Sequence, residues 1–274
     1  MHVRSQDLSA LLAEAGFVAA EEEAAELTAR ARGDAELLDA LVTRRLSGEP
    51  LAWITGHVTF CGLDVRVDPG VYVPRWHSEA LAERAAERLP EGGVAIDVCT
   101  GSGAIAKVLA ARRPAARVVG TDADERAVAC AAANGVEAYL GDLLAPVPGE
   151  LRGRADVVGG VVPFVPTGEL PLLQRDTFAF ETALGYDGGA DGTEVLRRVL
   201  AAAPALLRDG GAVVLGLGAG QPEALREDLA ELGYRDVRVV HDEDGDVRGI
   251  EATYSAAMSA APTSPSGQTP KPAR

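Results

Sequence analysis

The sequence predicts a doubly wound α/β domain, closed by an antiparallel C-terminal hairpin and preceded by a small helical domain. Three observations carry this. Beyond Ser78 short apolar strands alternate with helical stretches, the order that builds a parallel sheet covered on both faces. Near the C-terminus two strand-like runs succeed each other with no helix between them, which is a hairpin. Ahead of Ser78 the alternation is missing, and residues 5–47 keep a helical period instead.

In the first segment Leu8, Leu11, Leu12 and Ala15 recur at helical spacing, and 19–31 continues the pattern. Asp34 is placed to cap a third helix carrying Leu37, Leu38, Leu41, Val42 and Leu46. This unit, residues 1–56, is too small to stand alone and is expected to pack on the rest of the chain. In residues 57–76 the period changes to two. Val58/Phe60 and Leu63/Val65/Val67 alternate about a Cys61-Gly62 turn, and the hairpin runs into an extended stretch from Val71 to Arg75. Trp53 and Trp76 are read as packing residues.

The large domain is expected over 77–254, with strands at 94–98, 117–121, 137–140, 155–159 and 212–217. Its helices are expected at 78–88, 104–112, 125–133, 194–207 and 222–232. The closing hairpin is 236–241 and 247–254, turning at Glu243-Asp244-Gly245. Residues 255–274, rich in Ala, Ser, Pro and Thr, are expected to be disordered.

Composition excludes several partners. A formal charge of −15, from 41 acidic against 26 basic residues, argues against a nucleic-acid substrate, which needs a basic footprint. Only Lys107 and Lys271 are lysines, and the arginines are dispersed rather than clustered. No apolar run reaches the ~18–20 residues that cross a bilayer. Asp7 and Glu14 interrupt any signal-peptide order. Cys61, Cys99 and Cys130 are scattered without zinc spacing, so no metal is expected, and a reducing cytoplasm is the simplest location.

The clearest chemical signal runs from Ala95 to Ala104, an apolar strand breaking into a glycine turn at a helix start. Gly101 and Gly103 permit a tight turn and let a ligand lie against the backbone. Alone, Gly101-Ser102-Gly103-Ala104-Ile105-Ala106 also fits a dinucleotide fingerprint. Asp97, four residues before the first glycine, would repel a pyrophosphate but suits a ligand carrying an ammonium and a sulfonium. Asp122 ends the second strand, placed to hold two ribose hydroxyls, a role NAD would share. Asp142 comes after the third strand, where a carboxylate accepts from an adenine amino group. With the closing antiparallel hairpin, these features favour S-adenosylmethionine over NAD. The candidate cofactor residues are Asp97, Cys99, Thr100, Gly101, Ser102, Gly103, Asp122, Asp142 and Leu143, with Cys99 read as a small turn residue.

With segments on either side of that turn, the chain resembles the HemK/PrmC family, the protein N5-glutamine methyltransferases that modify class I release factors. The resemblance runs from about Gly48 to Thr253. It rests on Gly48-Glu49-Pro50-Leu51-Ala52-Trp53-Ile54-Thr55-Gly56, on Phe60-Cys61-Gly62-Leu63, and on the run from Val67 to Arg75. It continues through the run from Asp97 to Gly103, Pro166-Thr167-Gly168-Glu169-Leu170 with Leu173-Gln174, and Asp187-Gly188-Gly189-Ala190-Asp191-Gly192. It implies a methyltransferase sheet, S-adenosylmethionine held by the glycine turn, Asp122 and Asp142, a hairpin near the substrate mouth, and a release factor as partner. The helical N-terminal part looks shorter than in well-known members, as in an actinobacterial-type branch.

One segment departs from the family. Where the family carries Asn-Pro-Pro-Tyr after the fourth strand, this chain reads Val161-Val162-Pro163-Phe164. In the family the asparagine and a neighbouring carbonyl accept from the two amide N–H groups of the substrate. Val161 cannot accept; the Val162 carbonyl and the Phe164 ring are what the segment retains. Val162, Pro163 and Phe164 are therefore the candidate catalytic residues, and Val161 through Phe164 with Arg75 the candidate substrate contacts. The chain's single asparagine, Asn134, stands with Gly135 at a helix end and reads as an ordinary stop.

Several readings remain open from the sequence: a glutamine methyltransferase with an altered clamp, a methyltransferase for a small-molecule hydroxyl, carboxylate or amine, a cofactor-binding protein without turnover, and a dehydrogenase. Only a hydroxyl or ammonium acceptor needs a general base, for which His57, His77 and Glu169 are candidates. Arg75 is open between a substrate carboxylate and an internal salt bridge.

Overall fold

The computed structural model describes residues 5–173 and 180–259. Its first helices, α1 (Ser5–Glu14), α2 (Ala20–Ala31) and α3 (Ala35–Leu46), fall where the helical period placed them. They bury Leu8, Leu12, Leu27 and Leu41 in a small core of their own. Asp34 caps α3, its Oδ1 accepting from the Leu37 N–H at 3.0 Å. Arg45 on α3 donates twice to Glu23 on α2, at 2.6 and 2.9 Å, and lies over the Phe17 ring.

The helical period gives no sign of α4 (Leu51–Thr55), a short helix placed after Pro50 and stopped by Gly56 in the left-handed conformation. It brings Trp53 onto the extended strap, where its Nε1–H donates to the Val71 carbonyl at 2.9 Å. Trp53 thus packs as expected, whereas Trp76 stays 65% exposed beneath Arg248. Trp76 sits in a single 3-10 turn at the surface, so it has no core to enter. Strands β1 (His57–Phe60) and β2 (Leu63–Arg66) pair antiparallel as a separate hairpin. Cys61 and Gly62 both take positive φ at its tip, as a two-residue turn of type I′ requires.

The main sheet comprises β3 (Val94–Val98), β4 (Arg117–Asp122), β5 (Glu137–Leu140), β6 (Ala155–Gly160), β7 (Leu207–Gly216), β8 (Tyr234–His241) and β9 (Val247–Tyr254). Their order is β5-β4-β3-β6-β7-β9-β8. The first five strands pair in parallel; β9 runs antiparallel to both β7 and β8. The reversed strand therefore lies one place in from the edge, which β8 forms. Charged Arg235, Asp236 and Arg238 face water along that edge and discourage further pairing.

Helices α5 (Glu79–Arg88), α6 (Ala104–Arg112) and α7 (Glu125–Ala133) match the sequence reading within a residue. The helix expected over 194–207 is shorter. It runs as α8 (Glu194–Ala202) and tightens into a 3-10 turn at Ala203–Ala205, where Pro204 cannot donate the next helical bond. The residues released let β7 start at Leu207. The helix expected over 222–232 is two pieces, α9 (Gln221–Ala224) and α10 (Arg226–Glu231). Past β9, Ala256–Ser259 forms a short helix where disorder was expected; residues 260–274 lie outside the described residues, as does Gln174.

Successive residues of β3 face opposite sides, so Ile96 and Val98 enter a core with Leu196, Val199 and Leu200. Ala95 enters the other, with Leu81, Ala85, Val108 and Leu109. Two buried layers hold the parallel strands rigid. Their C-terminal ends meet at the crevice where doubly wound sheets bind ligands.

Candidate active site

At the end of β3 the chain turns through Cys99 (φ 55°), Gly101 (φ 56°) and Gly103 (φ 80°) into α6. A side chain at Gly101 would meet nothing within 4 Å, so this backbone faces open space. A side chain at Gly103 would strike Val136 at 2.9 Å and Ala131 at 3.1 Å. Gly103 therefore lets α6 lie against α7 and does not line the cavity, unlike the other expected turn residues. Burial pushes the Cys99 thiol up, which keeps it neutral.

Asp97 is 1% exposed, and burial raises its carboxyl to about 7. Its Oδ2 accepts from the Thr100 hydroxyl at 2.6 Å and from the Ala106 N–H at 3.1 Å. Asp122, at the end of β4, accepts from the Gly101 N–H at 2.9 Å through Oδ2 and from the Asp124 N–H at 3.0 Å through Oδ1. Burial raises this carboxyl too. Asp142 and Leu143 come after β5, and the Asp142 carboxylate pairs with Arg198 from α8. All of these side chains border one cavity of about 220 Å³.

Residues beyond β6 wall the far part of that cavity, but not as the sequence suggested. Val161 and Pro163 line it; Val162 and Phe164 do not. An extended chain turns alternate side chains to opposite sides. Val162 is 1% exposed in the core, and Phe164 packs on the same core while its carbonyl accepts from Gln221 at 2.7 Å. Of the three expected catalytic residues only Pro163 reaches the cavity, and Phe164 makes no aromatic wall.

Arg75 lines the cavity, yet its guanidinium is committed. It donates to Glu181 at 2.6 Å and to the Tyr186 hydroxyl at 2.9 Å, so the internal salt bridge holds over the substrate-carboxylate reading. None of the candidate bases borders the cavity: His57 faces Asp64 at 3.1 Å, Glu169 is exposed, and His77 lies outside the lining.

The wall also holds Tyr72, Thr182 and Asp187, with Glu181 behind it, none of which the sequence marks as a site residue. The one available signal was a lone carboxylate directly after the apolar Phe178-Ala179-Phe180. Nor does the sequence mark the side chain of Asn134, which bonds Arg66 and Ser102.

The chemistry of the cavity selects its ligand. Five aspartates (97, 122, 124, 142 and 187) border it against Arg75 and Arg198, both already paired. Such a field repels a pyrophosphate and attracts a cation. The open face of Gly101 and the buried Ser102 hydroxyl, unpartnered among the described residues, leave room and one polar group for a ligand. These residues fit S-adenosylmethionine.

Comparison with known proteins agrees. The family described as "Methyltransferase small domain" matches residues 63–143. A release factor glutamine methyltransferase of Geobacter sulfurreducens is 36% identical over 211 residues, covering 75% of this chain and 73% of that protein. One of Moorella thermoacetica is 38% identical over 216 residues, covering 74% and 75%. The chain belongs to the release factor glutamine methyltransferase family. A solved ribosomal protein L11 methylase of Lactobacillus delbrueckii subsp. bulgaricus shares the fold, with TM-score 0.50 and 19% identity over 70% of this chain and 85% of that one. As a family member the protein is an S-adenosylmethionine-dependent methyltransferase, and the dehydrogenase reading falls. Among the described residues no helix is long and apolar enough to cross a membrane.

Proposed function

We propose that this methyltransferase transfers a methyl group to the side-chain nitrogen of a glutamine on a release factor. The observation that carries the reading is the match, over about three quarters of both chains, to proteins named for that reaction. S-adenosylmethionine, when bound, supplies an electrophilic methyl with its own leaving group. Asp122 accepts from the ribose hydroxyls with the lone pairs that Gly101 and Asp124 leave free, and Asp142 accepts from the adenine amine. Asp97, once ionised, favours the cationic donor over a neutral product. Val161 and Pro163 exclude water from the acceptor nitrogen. That nitrogen shares its lone pair with a carbonyl, so its reactivity depends on how it is held.

A second reading, a small hydroxyl, carboxylate or amine acceptor, is favoured by one observation: the part of the wall formed after β6 is Val161 and Pro163, without a polar side chain. Labelled S-adenosylmethionine offered to a release factor, and separately to a small-molecule extract, decides between them. Label is expected on a glutamine-containing peptide of the release factor. Label confined to the extract overturns the protein acceptor.

A further inference from the structure

We propose that Asn134 is a positioning residue that couples the methyl-donor pocket to the hairpin on the acceptor side, so that filling the pocket stiffens the hairpin. The proposal rests on the reading of the cavity as a donor site.

Helix α7 is fastened to the glycine turn at both ends. Just before its start, Asp122 accepts from the Gly101 N–H at 2.9 Å. At its end the Asn134 Nδ2 donates to the Ser102 carbonyl at 2.8 Å. The same amide reaches the hairpin: Nδ2 donates to the Arg66 carbonyl at 2.8 Å, and Oδ1 accepts from the Arg66 N–H at 3.0 Å. One carboxamide thus grips both backbone groups of Arg66, as an adjacent strand would. Lys107 donates to Oδ1 at 3.2 Å and to the Asp64 carbonyl at 2.6 Å, a second stitch between α6 and the hairpin.

A carboxamide has two N–H donors and an oxygen with two lone pairs, and here every one is used. A helix stop needs none of this. The left-handed residue that ends α7 is Gly135, at φ 85°, whereas Asn134 keeps φ −84°. The asparagine is therefore explained by what its side chain joins. Ser102 borders the donor part of the cavity, and Phe60 of the hairpin borders it too. Val71 of the strap packs on Ala127 and Cys130 of α7, so turn, hairpin and strap share one mount. A ligand that orders the turn fixes the Ser102 carbonyl, and through Asn134 it fixes Arg66. By linkage the effect is reciprocal: an ordered acceptor side tightens donor binding.

Hydrogen exchange on the full chain, with and without saturating S-adenosylhomocysteine, tests this. The readout is the Val67 amide, whose N–H donates to the Gly56 carbonyl at 3.0 Å and shares its peptide unit with the Arg66 carbonyl that Asn134 holds. In the wild type the ligand is expected to slow its exchange at least ~5-fold, the lower end of ordinary coupling. In Asn134→Ala that ratio is expected to fall to about one. Asn134→Asp, which keeps an oxygen for Arg66 and Lys107 but loses both donations, is expected to behave the same way. A merely structural Asn134 would speed exchange equally with and without ligand and leave the ratio intact, which would overturn the proposal. So would a wild-type hairpin indifferent to ligand that calorimetry shows to be bound. If the wild type fails to bind S-adenosylhomocysteine at all, the donor-site reading falls first.

Discussion

Arg75 and Glu181 join across the cavity wall, Nη2 to Oε2 at 2.6 Å, although 106 positions separate them in the chain. The Glu181 carboxylate also accepts from the Val73 N–H at 3.0 Å and from the Tyr186 hydroxyl. One buried acid therefore sews the strap to the loop that carries Leu184 and Asp187. Removing it strands a cation. Glu181→Ala is expected to lower stability by about 3 kcal/mol, towards the low end for a buried pair because Arg75 keeps some solvent. Glu181→Gln should cost less, since it still accepts from Val73. Urea melts of both variants check this, and equal midpoints for Glu181→Ala and wild type would show that the clasp holds nothing.

Asp122 holds the glycine turn through the Gly101 N–H and, in the proposed site, the ligand as well. Asp122→Ala removes the acceptor for the Gly101 N–H and those proposed for the ribose hydroxyls. Charge-assisted bonds contribute ~1.5–3 kcal/mol each, so donor affinity should fall by ~2–4 kcal/mol. Calorimetry with S-adenosylhomocysteine measures the loss. A folded variant with undiminished affinity would remove Asp122 from the site.

The buried Asp97 sets a pH dependence. Its carboxyl lies at about 7 in the folded chain against 3.8 for the free group, chiefly through burial. The folded state therefore holds a proton that the unfolded state releases. Its contribution to stability is fully present below about pH 4 and is lost as pH rises through about 7. A cationic donor favours the ionised form, so binding should release a proton and tighten about 10-fold from pH 6 to pH 8. Asp97→Asn should flatten both profiles. A donor affinity that weakens over that range would contradict the assignment.

These features differ in how far the sequence shows them. Local period is enough for β3, β5 and α7, because each is decided by its own residues. The aspartates at successive strand ends are legible for the same reason: strand ends in a parallel sheet converge. After β6 the sequence offers four residues without saying which face the cavity, and one step of alternation turns Val162 and Phe164 away. Arg75 with Glu181, and Asn134 with Arg66, are meetings between distant segments. No periodicity records them until the fold exists. A stop at Gly135 accounts for the end of α7 by itself, so the sequence gives no cue that the side chain beside it joins three segments.

The departure at Val161 gives the most direct test of the acceptor. Val161 stands over Gly216, where an added side chain would meet it at 3.0 Å, and it borders the cavity. An asparagine there would present an acceptor to a substrate amide. The double change Val161→Asn with Val162→Pro rebuilds the Asn-Pro-Pro of the family, and the Val162 N–H makes no turn or loop hydrogen bond among the described residues that proline would break. If the acceptor is a release-factor glutamine, the rebuilt enzyme should methylate it at least ~10-fold faster, about 1.4 kcal/mol of barrier. Phe164→Tyr should change little, because that ring faces the core. If the acceptor is instead a small molecule in an apolar pocket, the double change should slow the native reaction. Initial rates on both substrates distinguish the cases. Rapid methylation of the glutamine by the wild type, unimproved by the asparagine, would mean that the amide is held by groups other than those at 161.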